Sequence, residues 1–186
     1  RRPVALVLEG LARERAIVAE LATLVNAQPH ELTERIGAMV TRLKDAEREL
    51  DKARKDALFA DAAKLVDGVK DVGGVAFLAH HLGEAGADDV RGLVLDLRGR
   101  LGVDRPSVVV GTAVAKGRPL VVVATNEAAR AKGIKAGELV RTAATTLGGG
   151  GGGKDDIAQG GGQDPTKVGE ATNAVEWRVG ELAARS

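Results

Sequence analysis

The sequence contains no cysteine and very few aromatic side chains: its 186 residues include two phenylalanines, one tryptophan and no tyrosine. The lack of cysteine excludes disulfide bonds, thiolate metal sites and cysteine nucleophiles together. The scarcity of aromatics argues against a surface that stacks many bases on aromatic rings. No apolar run approaches the roughly 18 residues that a membrane-spanning helix needs, and the first residues carry no apolar signal segment. We therefore expect no membrane contact and a cytoplasmic location.

Charge of one sign is also scarce, because 27 Lys and Arg residues are nearly balanced by 26 Asp and Glu residues. A protein that coats nucleic acid through charge alone needs many uncompensated cations, so this mode of binding is not expected. The charges are unevenly placed, however. Basic residues clearly outnumber acidic ones between residues 91 and 135, which makes that segment locally basic.

Two periodic apolar patterns occupy the N-terminal third. Residues 4–27 have apolar positions at helical spacing, and the pattern ends before Pro29. From Leu32 to Ala60 apolar or small residues recur at alternating steps of four and three, which predicts a long coiled-coil-like helix. The short break between them is typical of an antiparallel pair. The longer second helix would extend beyond the first, so we expect the globular domain or a second copy of the chain to cover its end. The candidate oligomer interface is Leu43, Ala46, Leu50, Ala53 and Ala57.

After residue 68 the pattern changes to short β-branched runs between helical segments. We predict an α+β fold, with a helical arm at residues 1–70 and a small α/β globular domain at residues 71–186. Asp164 before Pro165 has the form of a helix N-cap with proline at the first helical position. Trp177 falls on that last helix, and we expect it in the core. The other predicted elements are a strand at 75–80, a helix at 87–101, a hairpin of strands at 108–110 and 120–123, and a helix at 138–147.

The densest feature is a pair of glycine clusters, Gly148–Gly153 and Gly160–Gly162, around an ordered-looking hexapeptide. The spacing from Gly148 to Lys154 matches a phosphate-binding P-loop, but Asp155 stands where Ser or Thr is needed and a predicted helix precedes it. A flexible linker remains one interpretation. We favour a ligand-contact loop, because bare backbone permits close approach and successive N–H groups can form an anion-binding concavity.

No catalytic or metal-binding constellation emerges from the remaining polar residues. His80 and His81 are adjacent on a predicted strand and would point to opposite faces, and no acidic cluster completes a ligand set. The adjacent pairs Asp88-Asp89 and Asp155-Asp156 are typical of helix starts or solvated turns. We therefore expect neither a catalytic residue nor a metal ligand in this chain.

The order of the motifs is specific. Gly148–Gly153 with Lys154, then Asp156–Gln159, Gly160–Gly162 and Asp164-Pro165 closely resemble the C-terminal end of bacterial alanyl-tRNA synthetases. The resemblance continues backwards through residues 132–140, residues 72–75 and the heptad helix. It covers essentially the whole chain.

The resemblance implies an antiparallel helical arm and a globular domain of the DHH-associated nucleic-acid-binding family. In such synthetases this module contacts the outer corner, or elbow, of tRNA, supports aminoacylation and editing by upstream domains, and can contribute to dimerisation. The parent enzyme would be an alanine–tRNA ligase that uses ATP, magnesium and zinc in those upstream domains, so no cofactor is expected here. The resemblance implies alanine-specific tRNA and the upstream domains as partners, and a second copy of the chain as a candidate partner.

The glycine pattern and the resemblance together predict an RNA-binding site. The glycines would let the sugar-phosphate chain come close, and Lys154 would neutralise a phosphate. Valine at Gly151 and Gly152 is expected to abolish binding without unfolding the domain. The alternative function is an oligomerisation module acting through the long heptad helix. The predicted RNA-binding residues are Gly150, Gly151, Gly152, Gly153, Lys154, Gln159, Gly161 and Gly162, with Arg118, Lys132 and Lys135 on loops expected nearby.

Overall fold

The computed structural model describes residues 2–185, with side chains for residues 4, 5 and 7–185. It divides into two compact units, Arg1–Arg54 and Lys55–Ser186, which are described separately. No helix in the described range is both long enough and apolar enough to span a bilayer. The α+β class with an N-terminal helical arm is confirmed.

The first unit contains helix α1, Arg2–Leu24, a 3₁₀ turn, Pro29–Glu31, and most of helix α2, Leu32–Ala60. The turn is held where the backbone N–H of Gln28 donates to Glu31 Oε2 at 3.0 Å. Ala22 and Leu32 are buried beside it. Farther from the turn the described apolar side chains are largely exposed, among them Leu11 at 46% and Met39 at 48%, so the two helices bury apolar surface mainly beside the turn.

The second unit is built on a six-stranded mixed sheet in the order β1-β2-β3-β4-β6-β5. Only β2 and β3 pair in parallel; every other neighbouring pair is antiparallel. Strand β5 is therefore one edge of the sheet and β1 the other. The strands are β1 Lys70–Val72, β2 Val75–Glu84, β3 Ser107–Ala115, β4 Arg118–Thr125, β5 Gly150–Gly153 and β6 Ile157–Gly161.

Five helices accompany the sheet. The predicted strand, hairpin and helices are all present, although β2 extends beyond residue 80 to Glu84. Asp164 accepts a hydrogen bond from the backbone N–H of Thr166 at 3.0 Å, which confirms the predicted cap. The helices are α3 Ala62–Leu65, α4 Ala87–Arg100, α5 Glu127–Ala131, α6 Ala136–Thr146 and α7 Val168–Ala184, with 3₁₀ turns at Val66–Gly68 and Pro165–Lys167.

Alternating residues of the strands form two apolar layers, one on each face of the sheet. On one face α4 buries Leu93 and Leu97 against Val122. On the other face α6 and α7 cover Val121 and Val123. The prediction for Trp177 was wrong: its side chain is 69% exposed, because α7 buries a different stripe, formed by Val168, Ala171, Val175 and Val179, against the sheet.

Candidate nucleic-acid interface

The two glycine clusters form a β-hairpin at the edge of the sheet rather than loops. Gly151 lies opposite Gly160 and Gly152 opposite Gln159, and β6 in turn pairs with β4. The prediction of a glycine loop was therefore wrong, because pairing with a distant strand overrides the low strand propensity of glycine. An anion-binding concavity needs alternating helical and left-handed backbone, whereas these residues are extended. The hairpin thus offers a sheet surface and not a phosphate nest.

One side of the hairpin requires glycine for internal packing. A Cβ at Gly151 would lie 2.6 Å from Val140 Cγ1 and 2.7 Å from the Cα of Gly160. A Cβ at Gly149 would collide with the carbonyl oxygen of Gly161, and one at Gly162 with that of Leu147. Helix α6 therefore lies so close to the hairpin that no side chain fits between them. That valine at Gly151 and Gly152 leaves the domain folded stays a prediction, and these contacts count against it at Gly151.

On the opposite face Gly161 is also restricted, because its Cβ would lie 2.8 Å from the carbonyl oxygen of Pro119, but Gly150 and Gly152 are not. A Cβ at Gly150 or Gly152 would meet nothing within 4 Å, and neither residue has a left-handed φ angle. Their register partners Gly161 and Gln159 lie on the same face of the sheet. The backbone is thus bare on this face at two positions where neither packing nor conformation within the described residues demands glycine.

The turn between the two strands is firmly held. The carbonyl oxygen of Asp155 accepts hydrogen bonds from the Ala136 N–H at 2.9 Å and from Thr125 Oγ1 at 2.7 Å. The carbonyl oxygen of Asp156 accepts bonds from the Thr125 N–H at 2.9 Å and from Arg98 Nη1 at 3.3 Å. These contacts fix the turn that carries Lys154. The sequence analysis did not identify Thr125 or Arg98, because their targets are main-chain oxygens far along the chain.

Three of the predicted cations lie at this end of the sheet. Lys154 is in the turn itself, and Lys132 and Lys135 are in the segment between α5 and α6 that touches it. Lys135 Nζ is 3.0 Å from Asp155 Oδ2, in an ion pair whose side chains are about half exposed. Lys132 and Lys154 are exposed and have no ion-pair partner within residues 2–185. Two of the three cations are thus available to an external anion.

Arg118 lies elsewhere. It begins β4, whereas the turn is beside Thr125 at the end of that strand. At about 3.3 Å per residue the two ends are about 23 Å apart. Arg118 was expected on a loop near the glycines; it is instead the first residue of a strand, and its neighbour Pro119 accepts a hydrogen bond from the Gly162 N–H at 3.1 Å. Arg118 shares a face of β4 with Leu120 and Val122, because these residues alternate along the strand.

That face contains an open groove of about 320 Å³ between the first residue of α4 and the glycine hairpin. Its floor is mainly apolar or bare backbone, and Gln159 contributes the one polar side chain of the lining. The lining residues are Ala87, Leu120, Val121, Val122, Gly150, Gln159, Gly160 and Gly161.

The titratable groups do not form a reactive cluster here. Burial, and secondly the charge of His81, lower the pKa of His80, which lies on β2, away from the hairpin. Hydrogen bonds from Thr166 lower the pKa of Asp164, where the carboxylate caps the turn before α7. Within residues 2–185 no group of three or more histidine and acidic side chains is arranged to hold a metal ion. The described geometry instead presents a bare sheet face with exposed cations near its two ends.

The family match, the similar sequences and the similar solved structures all indicate the same kind of protein. The DHHA1 domain family matches residues 74–181. An alanine–tRNA ligase of Streptomyces avermitilis is 53% identical over 174 residues, which cover 93% of this chain and 20% of that protein. One of Kineococcus radiotolerans is 54% identical over 170 residues, which cover 91% of this chain and 19% of that protein. The chain therefore spans about a fifth of the length of these relatives.

Among solved structures, the C-Ala domain of the Aquifex aeolicus alanyl-tRNA synthetase superposes with a TM-score of 0.55 at 28% identity. The match covers 60% of this chain and 97% of that one. The resemblance found from the motifs is thus confirmed by sequence and by structure. Because the family match covers more than half of its residues, the chain belongs to the DHHA1 domain family.

Proposed function

We propose that the chain is a non-catalytic tRNA-binding module from the C-terminal end of an alanine–tRNA ligase. Its likeness to the C-Ala domain and to the ligases supports, at a coarser level, a nucleic-acid-binding C-terminal module. In the proposal residues 71–186 bind the elbow of tRNA and residues 1–70 form the arm that connects them to upstream domains. Aminoacylation and editing centres in those domains then act on one tRNA in the cytoplasm, with ATP, magnesium and zinc bound there.

The observation that carries this proposal is the bare face of the glycine hairpin. Gly150 and Gly152 have open space where a side chain would be, so a polynucleotide can approach the main chain without a steric barrier. Double-helical and folded RNA is recognised largely by shape and backbone, which suits a surface with few base-reading side chains. Lys154 and Lys132 at one end and Arg118 at the other supply exposed cations for phosphates.

A binding experiment with two RNAs tests the proposal. The purified chain should retard an alanine tRNA transcript in a filter or gel assay, but not a minihelix that contains only the acceptor stem. The affinity should fall only modestly with salt, because each phosphate contact changes the logarithmic slope by about 0.7 to 0.9 and few cations are exposed here. Equal affinity for the two RNAs would contradict contact with the elbow.

The non-catalytic part of the proposal has its own test. The chain should release no amino acid from mischarged alanine tRNA and should cleave no short RNA, with or without added divalent metal. Turnover that copurifies with the chain through several columns would contradict this part and leave the binding proposal in place.

Oligomerisation is a second candidate function, and the exposure of α2 favours it. Leu43 is 61% exposed and Leu50 53% exposed. The small residues of the predicted interface, Ala46, Ala53 and Ala57, are exposed as well. Sedimentation of the chain at several concentrations, alongside the variants Leu43→Glu and Leu50→Glu, tests this candidate. A monomer at every concentration removes it, whereas a dimer that both variants dissociate supports it.

A further inference from the structure

The face of the sheet that packs against α4 is covered near its centre and open beside the glycine hairpin. Near the centre α4 covers Val122, which is fully buried. Two residues earlier on the same strand Leu120 is only partly buried, and beyond it the face opens into the groove of about 320 Å³. Gln159 and the bare backbone of Gly150 and Gly152 continue this open face to the sheet edge. The open region is thus a groove whose floor combines the side chain of Leu120, bare backbone and the Gln159 amide.

A phosphate group is a poor occupant of this floor. The backbone N–H groups of β4 and β6 lie in the plane of the sheet, where both strands are paired on each side. They therefore do not point into the groove. Placing an anion over the apolar side chain of Leu120 would remove its hydration without compensating donors. The exposed cation on this face is Arg118, and it lies at the margin, on the same side of β4 as Leu120.

A nucleobase matches this floor in shape and in polarity. It is planar, its faces are apolar enough to lie on side chains and peptide planes, and its edge carries donors and acceptors. Gln159 can satisfy that edge, because its amide offers both a donor and an acceptor. Arg118 is exposed on the same face of β4, two residues before Leu120, and an arginine there can pair with the phosphate oxygens of the same nucleotide.

We propose that this groove binds one unpaired nucleobase of the RNA, laid flat on the bare backbone of β5 and β6, with its edge at Gln159 and its phosphate at Arg118. The RNA as the source of the base rests on the proposed function. The inference extends the proposed function, because it assigns base contacts and phosphate contacts to different parts of the surface. Bases are held on the open face, and further phosphates are held at the turn that carries Lys154.

The variant Gly152→Leu tests the groove directly. Gly152 pairs with Gln159, and its open space and ordinary φ angle let the fold accept leucine, whose side chain would cover the bare backbone beside Gln159 where the base is proposed to lie. The affinity for tRNA should fall about ten-fold, as expected for loss of one stacked base, while the salt slope stays unchanged. Arg118→Gln should weaken binding and reduce the slope by about 1. Gly169→Leu, at another exposed glycine with open space, should change neither.

A second measurement does not depend on tRNA. Nucleoside 5′-monophosphates should shift the NMR signals of the Gln159 side-chain amide and the Gly152 backbone amide, whereas ribose 5-phosphate and inorganic phosphate should not. Equal shifts with the sugar phosphate, or no shift with any nucleotide, would overturn the inference.

The two proposals fail in different ways. If the chain binds tRNA over minihelix but Gly152→Leu binds equally well, the groove inference is wrong and the proposed function stands. If tRNA and minihelix bind alike while nucleotides still shift Gln159, the elbow contact is wrong and the groove stands.

Discussion

The two faces of the glycine hairpin use the same residue type for different reasons. Toward α6, Gly151 and Gly160 are required because a Cβ at either position would run into Val140 and the neighbouring strand. On the opposite face Gly150 and Gly152 have no neighbour to avoid. The glycines of one run are therefore present for different structural reasons. Close packing or a positive φ angle explains most glycines of the two clusters, whereas Gly150 and Gly152 have open space at an ordinary φ angle.

The strongest test of this contrast is Gly151→Val. Its side chain would have to displace Val140 and the backbone of β6, and such overpacking should lower the free energy of unfolding by about 3 kcal/mol. Urea unfolding followed by circular dichroism measures the change. Gly152→Val is the matched control on the open face and should lose less than about 1 kcal/mol. Equal losses at the two positions would remove the distinction between the faces.

A double-mutant cycle identifies the partner on the α6 side. Gly151→Ala alone should destabilise the domain by about 2 kcal/mol, because its Cβ would lie 2.6 Å from Val140 Cγ1. Val140→Ala removes that methyl group, so the double variant should be more stable than the sum of the single losses by about 1 kcal/mol. Additive losses would assign the restriction to the backbone of Gly160 instead.

On the open face the sign of the effect should reverse. Gly152→Ala adds a Cβ in free space at an ordinary φ angle and reduces the freedom of the unfolded chain. Its free energy of unfolding should therefore rise by about 0.4 to 1 kcal/mol, as a shift of the urea midpoint with an unchanged slope. A stability loss at Gly152 as large as that at Gly151 would mean that both faces are packed.

Much of this fold could be predicted from local sequence, and the exceptions have a common cause. Helix α2 follows from the helical period of its apolar residues, and the hairpin of β3 and β4 from its two runs of β-branched residues. The glycine strands carry no side-chain period at all. Their extended conformation comes from hydrogen bonds to β4, whose pairing with β6 brings together residues such as Val122 and Gln159. Local pattern could not reveal that pairing.

The candidate site was predicted in part for the same reason. Glycine spacing located the hairpin, and Lys154, Lys132 and Lys135 do lie at one end of it. Nothing in the sequence distinguishes Gly151 from Gly152, because the difference lies in which face α6 covers. The sequence could not show that Arg118 lies at the other end of the hairpin from Lys132 and Lys135, since its distance from the turn depends on the direction and length of β4. The separation into a bare face and a cationic end needed the register of the sheet.

The smallest expected effect concerns the cationic end. In the free protein Asp155 Oδ2 forms an ion pair with Lys135 Nζ at 3.0 Å, so the carboxylate takes the place that a phosphate oxygen would need. Asp155→Asn removes this competitor and one negative charge, while the backbone carbonyl that Ala136 and Thr125 hold is retained. The affinity for tRNA should rise about two- to five-fold at low salt, and the salt slope should steepen by up to about 1 as Lys135 gains a phosphate. The free energy of unfolding should change by less than about 1 kcal/mol, because the pair is exposed.

Filter binding across a salt series measures both affinity and slope. Lys135→Gln in the same background should return both values to those of the original chain. A weaker affinity for Asp155→Asn would show instead that the carboxylate positions Lys135, and that phosphates bind at Lys154 and Lys132 alone.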